Sequence, residues 1–324
     1  MIESYRALTE HAALGAVAPR AVIAVGGPDR ASFLHGLLTN DVQALGPGSG
    51  CYAAWLTPQG RMITDLHVLA VEDRMLLDVP AELAAGLLQR LDQFLFGEDV
   101  QLADLANTLA SVWIHGPGAP AMVERVLAGA SGLASWPPYR HAPTPFGSAA
   151  ARTARIDQLG APGYCIYIDR AGDAELRAAF EAAGVTAAGP EAIEAVRLEA
   201  GYPVFGVDMT DDTIPLEAGI EDRAISFTKG CYVGQEVIVR VLHRGHGRVA
   251  RRLVGLRLDA AAARGQRIVA EGREIGAVTS AAHSPRHGPL AMGYVHRDFT
   301  APGTRVEVET SAGRVGASVG SSHP

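Results

Sequence analysis

Lysine occurs once in this chain of 324 residues: twenty-seven of the twenty-eight basic side chains are arginine, and the exception is Lys229. Cysteine is almost as scarce. Cys51, Cys165 and Cys231 are far apart, odd in number and without a C-x-x-C pair, which excludes a disulfide framework and a cysteine-rich zinc or iron–sulfur site held by this chain alone. No uninterrupted apolar run approaches the ~20 residues that span a bilayer. Met1-Ile2-Glu3-Ser4-Tyr5-Arg6 lacks the layout of a secretory signal, so the expectation is a cytoplasmic protein without a membrane partner. A net charge of −7 argues against a stable nucleic-acid complex, which needs a positive field to hold phosphates. There is no G-x-x-x-x-G-K-[ST] loop and no H-E-x-x-H. Gly26-Gly27 lacks a third glycine at the spacing of a dinucleotide fingerprint and reads as a turn.

What is present is a chain that is 48% hydrophobic and too long for one core, so two or three domains are expected. Strand-like Ala21–Val25 and a helix carrying Phe33, Leu34, Leu37 and Leu38 recur in plan about ninety positions on, as Val112–Ile114 followed by a helix with Met122, Val123, Val126 and Leu127. Between them, Tyr52–Thr57 and Met62–Val71 flank Pro58-Gln59-Gly60 as a hairpin, and leucines from 83 to 95 fall at helical spacing. A two-strand signal at 151–169 and helices at 173–183 and 190–201 complete a second α+β unit. After Arg252 six short β-type segments, separated by turn residues such as Glu271-Gly272 and Pro302-Gly303, indicate a small antiparallel barrel or sandwich. The expected division is 1–110, 111–246 and 247–324.

Five groups of residues invite chemistry. Asp65 lies in a strand with Ile63, His67 and Leu69 on its own face, where a carboxylate needs a partner or a pocket. Asp208, Asp211, Asp212 and Glu217 read as a solvated loop. His243/His246 and His283/His287 have metal-like spacing, but the neighbouring glycines and prolines forbid the helix that would aim both rings at one ion, so no metal site is assigned. Residues 237–258 contain six arginines and no acid, a patch suited either to a polyanion or to a solvated interdomain face. The sharpest local signal is Lys229-Gly230-Cys231-Tyr232-Val233-Gly234-Gln235-Glu236. A cysteine in a glycine-flanked turn beside the lone lysine, ahead of a helix, is placed where a thiolate is favoured; a small buried hydrophobe in a tight turn is the alternative.

That octapeptide resembles the signature of the YgfZ-type folate-binding proteins, a branch of the glycine-cleavage T-protein (aminomethyltransferase) superfamily associated with iron–sulfur cluster assembly or repair. Thr39-Asn40-Asp41-Val42, Leu56–Arg61, Arg197–Gly201, Ile214–Glu217 and Thr279-Ser280 extend the resemblance over nearly the whole chain. It implies an α+β fold: two tandem α+β (ferredoxin-like) units and a C-terminal antiparallel β-barrel in a ring with a central hole. It also implies tetrahydrofolate, or a related reduced folate, as ligand, held by Asp65 and Tyr52, and a functional pair Cys231 and Lys229. Two positions depart from the T-protein pattern, Cys165 in place of a pterin-gripping Glu and Ile193 in place of a pocket Arg. The function implied first is support of iron–sulfur cluster assembly or repair, with client enzymes or assembly proteins as partners. The alternative is a folate-dependent aminomethyltransferase-like transferase, which Asp65 keeps in play.

Overall fold

The computed structural model describes residues 1–243 and 248–320. Nine α-helices are found among them: α1 (Ile2–Glu10), α2 (Arg30–Leu37), α3 (Ala84–Asp92), α4 (Ala119–Val126), α5 (Asp173–Ala182), α6 (Pro190–Glu199), α7 (Pro215–Ala218), α8 (Glu221–Ala224) and α9 (Gln235–His243). The first sheet contains β2 (Arg20–Gly26), β3 (Ser49–Leu56), β4 (Met62–Ala70), β5 (Arg74–Pro80) and β6 (Gln101–Asp104), in the order β3-β4-β5-β2-β6 with antiparallel neighbours. Period-2 alternation gives this sheet two different faces. Ile23, Val25, Trp55, Leu66, Val68 and Leu77 point one way and pack under Phe33, Leu34, Leu87 and Leu91 of α2 and α3.

The opposite face does not meet water. Val22, Ala24, Leu69 and Leu76 pack against Trp113, Ala154, Cys165 and Tyr167 of the second sheet. That sheet has the order β11-β1-β7-β10-β9-β8, built from β1 (Ala13–Leu14), β7 (Leu109–His115), β8 (His141–Pro143), β9 (Ala151–Arg155), β10 (Gly163–Asp169) and β11 (Thr186–Ala187). Its outer face buries Val112, Ile114 and Ile166 under Val123, Leu176 and Phe180 of α4 and α5. Two sheets therefore meet face to face, and polar residues on their inner faces are forced together at the seam. β1 comes from the N-terminus yet pairs with β7, and α1 packs on α6, so the first residues of the chain close the second unit. Neither α1 nor β5 is marked by sequence periodicity.

The C-terminal segments close as the resemblance implies. β12 (Arg251–Leu258), β13 (Arg267–Ala270), β14 (Arg273–Ser284), β15 (Gly288–His296), β16 (Arg305–Thr310) and β17 (Gly313–Val319) form a closed barrel in the order β12-β15-β14-β13-β16-β17. Pairing of Leu256 with Val319 completes the circle, and Val254, Ile268, Val278, Val295 and Val308 fill the interior.

One buried ionic hub fixes the barrel to α6. Arg197, 1% exposed, donates to Asp208 at 2.6 Å, to the Tyr202 carbonyl at 2.7 Å, to Ser280 of the barrel at 2.9 Å and to Glu194 at 2.8 Å. Asp208 also accepts from Thr279 and Ser280, each at 2.6 Å. Asp208 is therefore a buried cornerstone, against the expectation of a solvated loop, while Asp211 and Asp212 are exposed. Both ions of this pair are hydrogen-bonded on several sides, the condition under which a buried charge is tolerated.

Candidate functional site

The seam between the sheets carries a dense set of titratable groups. Strand alternation puts Asp65 and His67 of β4 and Asp78 of β5 on the face turned away from the helices, and register brings His67 opposite Asp78. Arg20, at the start of β2, pairs with both acids: its Nε donates to Asp78 Oδ1, and its Nη1 reaches Asp65 Oδ1 at 3.3 Å. The second oxygen of each acid takes a tyrosine. Tyr52 of β3 donates to Asp65 Oδ2 at 3.0 Å, and Tyr167 of β10 donates to Asp78 Oδ2 at 2.6 Å. The Asp65–Tyr52 pairing that the sequence singles out is thus present, inside a network that also holds Arg20, Asp78 and Tyr167.

The electrostatics follow from burial and from Arg20. Burial opposes charge on Asp78, but the Arg20 guanidinium, His67 and the Tyr167 hydroxyl outweigh it and hold the carboxyl at about 2. Arg20 is raised above its ordinary value because Asp78 and Asp65 overcome the cost of burying it. Burial, then the Asp65 charge, pushes the Tyr52 phenol well up. His67 is lowered, chiefly by burial, and stays neutral at pH 7. Cys165 is pushed well up by burial, then by Asp78. It is an inert thiol in the seam, where it packs with Trp113 and Tyr167. Ile193 is in the apolar contact between α1 and α6 with Tyr5 and Leu8.

Two more groups complete the centre. Tyr202, after α6, receives a hydrogen bond from Gln158 at 3.4 Å. The Arg223 guanidinium, from α8, lies 5.3 Å from the Tyr52 ring centroid and 4.9 Å from that of Tyr202. Sequence reasoning misses Arg20, Asp78, Tyr202 and Arg223, because strands and loops far apart in the chain bring them together. Even β5, which aims Asp78 the same way as Leu76, is buried on both faces and offers no alternation to read.

The resemblance implies a reduced folate here, and the donor set suits one: Asp65 is an acceptor for a ring N–H, and the tyrosine faces can stack on a flat heterocycle. The space does not yet hold it. The cavity bounded by Arg20, Asp65, Gln158, Tyr202 and Phe205 has a volume of about 30 Å³, room for a water molecule or two. A pteridine is larger than this space, so its entry requires the walls of the cavity to move.

Lys229 and Cys231 occupy a different place. The Lys229 ammonium donates to the carbonyls of His35 and Leu38, each at 2.6 Å, and of Asn40 at 3.0 Å. Three hydrogens meet three carbonyls converging at the end of α2, a task for a compact ammonium and not for a planar guanidinium. Burial lowers Lys229 to about 8, with Asp41 and Cys51 opposing the shift. The Val233 amide donates to the Gly36 carbonyl at 3.1 Å. Gly234 has φ +85°, and a Cβ there would stand 2.5 Å from the Thr57 carbonyl. Lys229–Gly234 is therefore pinned between α2 and the turn at residues 57–60. Cys231 is free and exposed, while the Cys51 thiol is pushed up to about 12, chiefly by burial.

Asn40 ties the two places together. Its carbonyl accepts from Lys229, and its side-chain amide donates to the carbonyls of Tyr52 at 2.8 Å and Arg223 at 3.0 Å. Among the described residues, no three His, Cys, Asp or Glu side chains converge as a metal ion requires; His283 and His287 are exposed, and His246 of the other pair lies outside the described residues. Of the arginines in the basic stretch, Arg251 pairs with Glu217 and Arg252 with Glu221. Among the described residues, no helix is long and apolar enough to cross a membrane.

Residues 1–229 match the GCVT N-terminal domain, and residues 251–324 match the glycine cleavage T-protein C-terminal barrel domain. An aminomethyltransferase of Streptomyces coelicolor is 30% identical over 93% of this chain and 83% of its own length. A chloroplastic protein of Arabidopsis thaliana named as a transferase is 27% identical over 88% of this chain, which spans 66% of that protein. The crystal structure of the glycine cleavage system aminomethyltransferase T from Bartonella henselae superposes with a TM-score of 0.88 at 25% identity, covering 98% of this chain and 88% of that one. The superfamily implied by the sequence is thereby established. The narrower iron–sulfur branch rests on the Lys229–Glu236 signature alone.

Proposed function

The chain belongs to the glycine-cleavage T-protein family, and on that premise we propose that its central site binds a reduced folate and handles the one-carbon unit the folate carries, as a transferase of the aminomethyltransferase kind. The observation that carries this reading is Asp65: a buried carboxylate at the seam of two sheets, bonded to Tyr52 and Arg20, in a chain similar to named aminomethyltransferases. Asp65 would accept the hydrogen bond of a folate ring nitrogen and fix that nitrogen against an incoming carbon, since positioning supplies much of the rate in such transfers. Tyr52 would hold the carboxylate's orientation. With Cys165 and Ile193 turned into apolar packing, fewer polar groups grip the pterin, and weak binding is expected.

A second reading is favoured by the exposed Cys231 in a turn that Lys229 locks onto α2. On it, the protein supports assembly or repair of iron–sulfur clusters in client enzymes, with Cys231 as the working thiol and folate as a bound ligand. The two readings part on one pair of variants. If the transferase reading holds, purified protein turns over an aminomethyl-lipoyl donor and tetrahydrofolate, Asp65→Asn abolishes turnover and Cys231→Ser leaves it intact. Absence of turnover, with iron–sulfur enzyme activities in a cell lacking the protein restored by Asp65→Asn but not by Cys231→Ser, selects the second reading instead.

A further inference from the structure

Arg223 makes no ion pair among the described residues. Arg20 is neutralised by Asp65 and Asp78, Arg197 by Glu194 and Asp208, Arg251 by Glu217 and Arg252 by Glu221. The Arg223 guanidinium also donates no hydrogen bond among the described residues; its only close partners there are the rings of Tyr52 and Tyr202. The half-buried guanidinium carries five N–H donors, and none of its nitrogens is both buried and unpartnered, so its N–H edge is open to solvent and to a ligand. Ring contact does not meet these donors. Stacking uses the weakly hydrated faces of the guanidinium and leaves its N–H edge open, the edge that matches a carboxylate with two parallel hydrogen bonds.

The backbone that carries Arg223 is also held in place. The Arg223 carbonyl accepts from Asn40 Nδ2 at 3.0 Å, and its amide donates to the Ile220 carbonyl at 3.1 Å. Tyr52, one of the two stacking rings, is the residue bonded to Asp65, so an acceptor for N–H and a donor for carboxylate stand beside the same tyrosine. Burial opposes charge on Arg223, and Tyr202, Tyr52 and Tyr139, then Asp65, raise it above its ordinary value. A ligand that brings an N–H to Asp65 and a carboxylate to Arg223 meets both demands.

We propose that Arg223 is the anion-binding half of the central site and takes a carboxylate of the glutamyl tail of the folate. This inference rests on the folate reading above and extends it to the tail. Calorimetry on the full chain with three probes tests it: 5-formyltetrahydrofolate, tetrahydrobiopterin, which lacks the tail, and p-aminobenzoylglutamate, which lacks the pterin. Arg223→Gln is expected to weaken the two glutamyl ligands about tenfold or more, the worth of a charge-assisted bidentate pair, and to leave tetrahydrobiopterin within about twofold. Arg223→Lys, which keeps the charge and loses the fork, should fall between, and its unaltered thermal unfolding guards against a trivial loss of fold. Equal affinity of wild type and Arg223→Gln for 5-formyltetrahydrofolate, or no binding of p-aminobenzoylglutamate by the wild type, overturns the inference. Wild type that takes p-aminobenzoylglutamate through Arg223 but shows no affinity for tetrahydrobiopterin removes the pterin reading and leaves the anion site standing.

Discussion

At the scale of single residues, Lys229 shows how far a sequence can be read. Its being the one lysine among so many arginines is visible at once, and three carbonyls that each take one ammonium hydrogen give the reason why a planar guanidinium would not serve there. Its proximity in sequence to Cys231 suggests a thiol activator, whereas every donor on the ammonium is already used at the end of α2. Lys229→Arg should therefore cost stability, on the order of 1–3 kcal/mol for charge-assisted bonds lost or bent, measured as a shift of the urea midpoint at unchanged slope. An unchanged midpoint would mean that the turn does not depend on these bonds. Tyr52 and Asp65 are legible for a different reason: Asp65 stands out as a carboxylate in an apolar strand, and the resemblance points to both, although the hairpin that carries them has a bulge between Trp55 and Leu56. Arg20 and Arg223 are invisible in sequence, because what defines them is the pair of tyrosines or acids that other segments bring alongside.

Between elements, the motifs that stand out as separate words are halves of shared contacts. Leu56–Arg61 and Lys229–Glu236 meet at Gly234 and Gly60: a Cβ on Gly234 would stand 2.5 Å from the Thr57 carbonyl, and one on Gly60 would stand 2.8 Å from Val237. Gly60 also has φ +76°, a conformation that L side chains adopt only at a cost. Gly234→Ala should destabilise the fold by about 1–3 kcal/mol and speed alkylation of Cys231 by iodoacetamide as the pinned turn loosens. Alkylation at the wild-type rate in that variant would contradict the view that packing against residues 57–60 holds the cysteine. The barrel strands and the hairpin are readable from turn residues and alternation. Strand β5 is not, since its Met75–Pro80 run is buried on both faces and carries no periodic signal. The N-terminal helix is missed as well, because its apolar face is short and finds its partner in α6.

For the whole molecule, the buried histidines set the response to acid. Burial holds His115 at about 4, and burial with the neighbouring Arg152 holds His141 at about 4, against 6.5 for a free ring. Both stay neutral in the folded chain until about pH 4, while the unfolded chain takes up protons near 6.5. Stability is therefore complete above about 6.5 and is lost as the pH falls toward 4, each ring contributing on the order of 2 kcal/mol of that loss by pH 5. Asp78, held at about 2, adds a later loss below the ordinary carboxylate range near 4. His115→Phe keeps the stack on Trp113, whose centroid is 5.8 Å away, and removes one titration. Urea unfolding at pH 7 and pH 5 should show a smaller difference for this variant than for wild type, and an equal difference would assign the acid sensitivity elsewhere. The same convergence of two sheets that buries these groups also makes the central site. Its account stands or falls on whether the small cavity beside Asp65 opens. The most direct measurement is a crystal structure of the full chain with 5-formyltetrahydrofolate: the account predicts the pteridine against Asp65, with the walls of that cavity moved out of its way, and a folate bound elsewhere with the Arg20–Asp65 pair unbroken would contradict it.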